Sequence, residues 1–124
     1  MYRILIVDDS ATMRRMVAAS LRSLRDTSFD EATNGLEAIE RFALHPPSLM
    51  ILDLNMPDMH GLDVLRFVRA GQHATRLPII VLTTRGDAES RSAAHEAGAT
   101  LYMTKPFDPS DLLARVGSLL DSAK

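Results

Sequence analysis

The 124-residue chain contains no cysteine and no tryptophan, and its aromatic residues are two tyrosines and four phenylalanines. Without cysteine, disulfides, Cys-ligated zinc and thiol catalysis are excluded. That absence suits a reducing, cytoplasmic setting. No apolar run approaches the ~20 residues of a membrane span, so no membrane partner is expected. The opening MYRILIVDDS reaches two aspartates after a short apolar stretch, which is too short and too acidic for a secretory leader. The net charge of −2 argues against a general nucleic-acid binder. No sequence repeat, linker or low-complexity tail is evident.

What is present has the balance of a soluble globular domain, with 46% hydrophobic and 24% charged residues. The length suits one domain over residues 1–124, large enough to bury roughly two thirds of its unfolded surface without a staple. Short apolar runs alternate with helical patterns. Ile4 to Val7, Leu49 to Leu52 and Ile79 to Leu82 are continuous and rich in branched residues, as strands covered on both faces should be. Thr100 to Met103 is a shorter strand, and the acid-containing Ser28 to Ala32 suits a sheet edge.

Helices are predicted between them. Met13, Met16, Val17, Ser20, Leu21 and Leu24 share one face at 3.6-residue spacing. A second helix starts at Asn34, where Asn34 and Glu37 form a capping-box pattern. A third covers Leu62 to Arg69, and a fourth covers Asp87 to Ala97 with Gly98 closing it. The last carries Leu112, Leu113, Val116, Leu119 and Leu120, with Asp108 placed to cap it and Pro109 in its first turn. Five strand–helix units imply an α/β fold with a mostly parallel, doubly wound sheet and right-handed crossovers.

Ligands of such sheets bind outside the carboxyl ends of the strands. The first strand ends in Asp8-Asp9, the third in Asp53 and the fourth in Thr83-Thr84; Lys105-Pro106 follows the fifth. Three carboxylates brought together repel unless a cation sits among them. An all-oxygen set of this kind suits Mg²⁺, which takes one or two carboxylates, waters and a phosphate. Lys105 and Thr83 are placed to bind oxygens of a transferred phosphoryl group, and a strand-end aspartate is a possible nucleophile.

The stretches VDDSATMRRMV, ILDLNMPDMHGLDVL, PIIVLTT, EAGA and YMTKPF together closely resemble the receiver domain of bacterial two-component response regulators, especially the single-domain CheY-like chemotaxis type. The resemblance covers nearly the whole chain. It implies a flavodoxin-like (βα)5 fold with strand order 2-1-3-4-5. It implies that Asp53 is the phosphoacceptor, that Asp8, Asp9 and Asp53 hold Mg²⁺ with the Asn55 backbone carbonyl, and that Lys105 pairs with the phosphoryl oxygens. It further implies a cis bond before Pro106 and a switch in which Thr83 moves toward the phosphoryl group and Tyr102 turns inward behind it. The face of helix 4, strand 5 and helix 5 would then change shape for a target protein. The implied partners are a sensor histidine kinase or phosphotransfer protein upstream and the flagellar motor switch downstream, with the chain acting as a monomer. Such a protein is no enzyme beyond its own phosphorylation and dephosphorylation.

The chain departs from the family pattern in three places. Thr84 stands where a small residue, often alanine, is usual, and its methyl is expected to narrow access to the site. Arg85 stands where the best-known chemotaxis regulator carries an acid, and is expected to approach the phosphoryl group or Asn55 and tune the acyl-phosphate lifetime. Arg91 and Ser92 replace large aliphatics in helix 4, leaving Ala93, Ala94 and Ala97. A short or mobile fourth helix is the expectation.

Other residues have plainer readings. Asp58 and Asp63 are expected to cap or flank the third helix, and Gly61 to be a turn residue. His45, His60, His73 and His95 share no ligand spacing and are expected at the surface. Arg14, Arg15, Arg22 and Arg25 are read as a solvated helix flank, and the seven methionines as mostly core filler. Other functional classes compete. A haloacid dehalogenase-type phosphatase would need a second Asp where Asn55 stands, and a cap domain. A flavodoxin-like mononucleotide carrier would need a phosphate loop where Asp8-Asp9 stands. A receiver-like scaffold that is never phosphorylated, a phosphate sink and a phosphorelay carrier remain as further readings.

Overall fold

The structure, a computed structural model, describes residues 1–71 and 76–122. His73 lies outside the described residues. The chain alternates strand and helix: β1 (Tyr2–Val7), α1 (Ala11–Ser20), β2 (Thr27–Ala32), α2 (Gly35–Leu44), β3 (Leu49–Leu52), α3 (Gly61–Ala70), β4 (Ile79–Thr83), α4 (Ala88–Ala97), β5 (Leu101–Thr104) and α5 (Pro109–Ser122). The strands form one parallel sheet in the order β2-β1-β3-β4-β5. β2 is an edge strand, as its acids suggested.

Helices cover both faces. One core packs Ile4, Ile6, Ile51, Ile80 and Leu82 against Val17 and Leu21, from α1 and its C-terminal end, and against Leu112, Val116 and Leu120 of α5. The opposite core packs Leu5, Val7, Met50, Leu52 and Val81 under α2, α3 and α4. Coverage on both sides is why β1, β3 and β4 read as unbroken apolar runs. One expectation about the core needs correction. Met16 is 50% exposed, although it shares the helical period of the buried Val17. The methionines are mostly core filler, as expected: Met50 and Met103 are buried, and Met13, Met56 and Met59 pack against the core while partly exposed.

Side-chain caps set the helix starts. Ser10 accepts from the Met13 amide, and Asn34 from the Glu37 amide. The Asn34–Glu37 box is only half formed, because the Glu37 carboxylate reaches Thr33 instead of returning to Asn34. Asp87 caps α4 by accepting from the Ser90 amide, and Asp108 accepts from the Ser110 amide at the start of α5. Gly98 ends α4 at φ 109°, in the left-handed region where a side chain is strained. α4 therefore spans ten residues, as many as α1, α2 and α3, and is not short. Its caps define its length even though only Ser90 and Ala94 are buried in it.

Candidate functional site

The register aligns the strand ends. Val7 pairs with Ala32 and with Leu52, and Leu52 pairs with Val81. One step beyond that row, Asp8 and Asp53 emerge side by side from neighbouring strands. The amide of Asp53 donates to the Val7 carbonyl at 3.0 Å, and that of Asp8 to the Ala32 carbonyl at 3.1 Å. β1 and β3 flank the point where the strand order reverses, the usual place for a ligand on such a sheet. Thr83 pairs with Thr104 on β5, and the Lys105 amide donates to the Thr83 carbonyl, which brings the lysine to the same edge. The Lys105–Pro106 peptide is cis.

Asp8 and Asp53 are only 4% and 5% exposed, whereas Asp9 is exposed. Carboxylate oxygens of Asp8, Asp9 and Asp53 lie within 4.8 Å of one another. The Lys105 ammonium donates to Asp8 Oδ2 at 2.6 Å and to Asp53 Oδ2 at 3.4 Å. The other Asp8 oxygen accepts from the Ser10 amide at 2.9 Å, and the other Asp53 oxygen accepts from the Asn55 amide at 3.3 Å. The two buried acids therefore differ. Asp8 is pinned by two short bonds, while both bonds to Asp53 are long. Three carboxylates facing one ammonium leave surplus negative charge, and the donor set is all oxygen. That chemistry fits a hard divalent cation such as Mg²⁺.

The neighbouring loop is polar. Asn55 Nδ2 donates to the hydroxyls of Thr83 and Thr84, at 3.4 Å each. The Arg85 amide donates to the Thr83 hydroxyl at 3.5 Å. Thr83 itself is fully buried. The exposed Arg85 lines a hollow of about 230 Å³ with Leu54, His60, Leu62 and Asp87, on the α4 side of the site. Tyr102 donates its hydroxyl to the Arg85 carbonyl and packs against the core beneath α4. Burial pushes its phenol up, and Asp87 adds to that shift.

Four residues take roles that their sequence context did not suggest. Asp58 does not cap α3. Its carboxylate accepts from the Gly35 and Leu36 amides at 2.9 and 3.0 Å, so it caps α2 across the top of the sheet. Those amides hold the Asp58 carboxyl below the usual range. The cap of α3 is His60, whose Nδ1 accepts from the Leu62 amide. Arg14 is not part of a solvated flank. Its side chain is 12% exposed, donates to the Asp8 carbonyl at 2.6 Å and pairs with Glu31 at 2.7 Å. Gly61 is more than a turn residue. A Cβ there would lie 2.4 Å from the Asp53 carbonyl oxygen and 2.6 Å from the Leu54 Cα, so only glycine lets α3 start this close to β3. Asp63 does sit in the first turn of α3, where it pairs with Arg66. His45, His60 and His95 are exposed, as expected.

Known proteins resemble this chain in sequence and fold. Residues 4–117 match the response regulator receiver domain. Chemotaxis protein CheY1 of Helicobacter pylori is 38% identical over 119 residues, covering 95% of this chain and 96% of the relative. Response regulator MprA of Mycobacterium leprae is 41% identical over 122 residues, covering 98% of this chain but 52% of the longer relative. Among solved structures, the Mn²⁺-bound form of response regulator Rcp1 superposes with a TM-score of 0.83 at 28% identity, covering 96% of this chain and 91% of that one. With the strand order, the strand-end acids and the matched span in agreement, the chain belongs to the response regulator receiver domain family, the CheY-like signalling modules of two-component systems.

Proposed function

We propose that this chain is a Mg²⁺-dependent phosphorylation switch whose acceptor is Asp53. The observation that carries this reading is the contrast between the two buried acids. Asp8 is fixed by the Lys105 ammonium and the Ser10 amide, and Asp53 is held only by long bonds. The loosely held carboxylate is the one able to attack. An Asp53 oxygen forms a bond to phosphorus as the P–N bond of a phosphohistidine breaks, and the bonding pair leaves with the imidazole nitrogen. Asp8, Asp9, Asp53 and the Asn55 backbone carbonyl would hold the Mg²⁺, and a bound ion supplies charge to offset the carboxylates. Lys105 already spans Asp8 and Asp53, so a small move places its ammonium on the phosphoryl oxygens. Thr83 follows by exchanging its bonds with Asn55 and Arg85 for one to the phosphoryl group. Thr84 and Arg85 border this path and tune the lifetime of the acyl phosphate.

Signalling then passes through binding of a target protein to the face built by α4, β5 and α5. Likeness to a chemotaxis protein over nearly its full length favours a chemotaxis or motor-control target, with a sensor histidine kinase or phosphotransfer protein as the donor. Residues 1–124 are taken as one receiver domain that acts as a cytoplasmic monomer. A dehalogenase-type phosphatase is disfavoured, because Asn55 offers an amide bonded to two threonines where that chemistry needs an acid. A phosphate sink or relay carrier would show the same chemistry without a motor target. Binding of the phosphorylated protein to a motor-switch peptide would separate these outcomes.

The direct test is intact mass after incubation with acetyl phosphate and Mg²⁺. One phosphoryl group should be gained, and Asp53→Asn or removal of Mg²⁺ should abolish the gain. No gain in the unaltered protein would contradict the proposal.

A further inference from the structure

The loop between β4 and α4 is held from two sides. From within, the Thr83 hydroxyl accepts from Asn55 and from the Arg85 amide. From outside, two side chains take successive carbonyls of the loop. Tyr102 donates its hydroxyl to the Arg85 carbonyl, and Arg91 Nε donates to the Gly86 carbonyl at 3.3 Å. The Arg91 guanidinium also lies over the Tyr102 ring, 4.9 Å from its centroid. A cation over an aromatic face is attracted by the ring quadrupole. The ring therefore sits between the core beneath it and the arginine above it, with its hydroxyl tied to the loop.

We propose that Arg91 is a latch that holds Tyr102 inward, so that the output face rests in its tyrosine-in arrangement before any phosphoryl group arrives. This rests on the reading of the chain as a Thr83–Tyr102 switch. Tyr102 is then not the element that waits for phosphorylation. Thr83 is, because its hydroxyl is engaged by Asn55 and Arg85. Arg91 is a positioning residue. It acts through the ring and the Gly86 carbonyl and lies on α4 outside the acidic cluster. An aliphatic residue at this position could cover the ring, but could offer neither the cation nor the donor to Gly86. The latch is also part of the output surface, since Arg91 and Tyr102 line a hollow with Thr104, Pro106, Asp111 and Arg115. A target that binds there meets an arginine already committed to the ring.

The test measures the χ1 rotamer of Tyr102 directly, from three-bond couplings of its Cγ to the backbone nitrogen and carbonyl carbon. It uses the full chain labelled with ¹³C and ¹⁵N, without phosphodonor or metal. In the unaltered protein one inward rotamer should dominate. In Arg91→Ala the outward-to-inward ratio should rise about two- to fivefold, the change expected from loss of a surface cation–π contact. Arg91→Lys keeps a cation above the ring and should rise less. Alanine is a better helix former than arginine, so α4 should persist, and unchanged Cα shifts across Ala88–Ala97 would verify that. An unchanged ratio in Arg91→Ala, or an outward rotamer already dominant in the unaltered protein, would overturn the latch. Because no phosphoryl group is involved, that failure is distinct from failure of Asp53 to gain mass.

Discussion

The acidic edge of the sheet and the fourth helix, the two parts of the proposed switch, are held by different forces. At the acidic edge, Asp8, Asp53 and Thr83 leave the ends of strands buried on both faces and are almost wholly enclosed. At α4, the buried residues are one serine and one alanine. α5 buries Leu112, Val116 and Leu120. At about 1.5–3 kcal/mol for each fully buried branched side chain, and about 0.8 kcal/mol for a methyl group, α5 is anchored several times more strongly. Polar contacts supply what α4 lacks: the Asp87 and Gly98 caps, the Arg91 bond to Gly86, and Arg69 reaching from α3 to the Gly98 carbonyl at 2.9 Å. The chemistry is fixed by packing, and the element that reports it is fixed by bonds that can be exchanged one at a time. A low-stability element is what a reporter needs.

The strongest challenge to the rigid end is Gly61→Ala. The added methyl would overlap main-chain atoms of Asp53 and Leu54, which have no side-chain freedom to yield. A loss of about 3 kcal/mol is expected in urea unfolding, with slower phosphorylation because the strand end carrying Asp53 must shift. Retained stability would show that the strand end is softer than described. Lys105→Met leaves the fold's apolar packing in place but removes the one ammonium shared by Asp8 and Asp53. The initial rate of phosphorylation from acetyl phosphate should fall about 100-fold, the scale of losing one preorganised charge-stabilising donor. A fall smaller than tenfold would argue that Lys105 serves only to neutralise Asp8.

The mildest test concerns α4 and acid. The Ser90 amide, and after it the Ser90 hydroxyl, hold the Asp87 carboxyl below its ordinary value of 3.8. A group depressed in the folded state adds stability above its unfolded value and loses it as pH falls through the folded one. Asp87→Ala should therefore flatten the fall in stability of α4 between about pH 5 and pH 3, read from exchange of its amides. An unchanged slope would mean that the cap contributes nothing to α4.

The strand ends were legible in the sequence because a fully covered strand is an unbroken apolar run, and the residue that ends the run is visible. Asp8, Asp53 and Thr83 follow from that rule alone, before any resemblance is invoked, whereas Lys105 follows the partly exposed β5 and is less plainly marked. Long-range polar contacts were not legible. Asp58 lies 23 residues from Gly35, and nothing in its neighbourhood shows that it caps a different helix. Arg14 stands beside Arg15 in α1 and reads like it as a surface arginine, but Glu31 on β2 and the Asp8 carbonyl decide that it is enclosed. Met16 fails for the converse reason: period identifies a helical face, not how much of that face a neighbour covers. The length of α4 was readable from Asp87 and Gly98, and the scarcity of large apolar residues misled because caps, not buried area, set where a helix begins and ends.

The contrast between a packed site and a loosely tied reporter is tested most directly by amide exchange with and without Mg²⁺ and beryllofluoride, a phosphoryl mimic. Exchange should change across Thr84–Ala97 while the amides of Leu112, Val116 and Leu120 in α5 stay as they were. Equal changes in α4 and α5, or none in α4, would contradict the account.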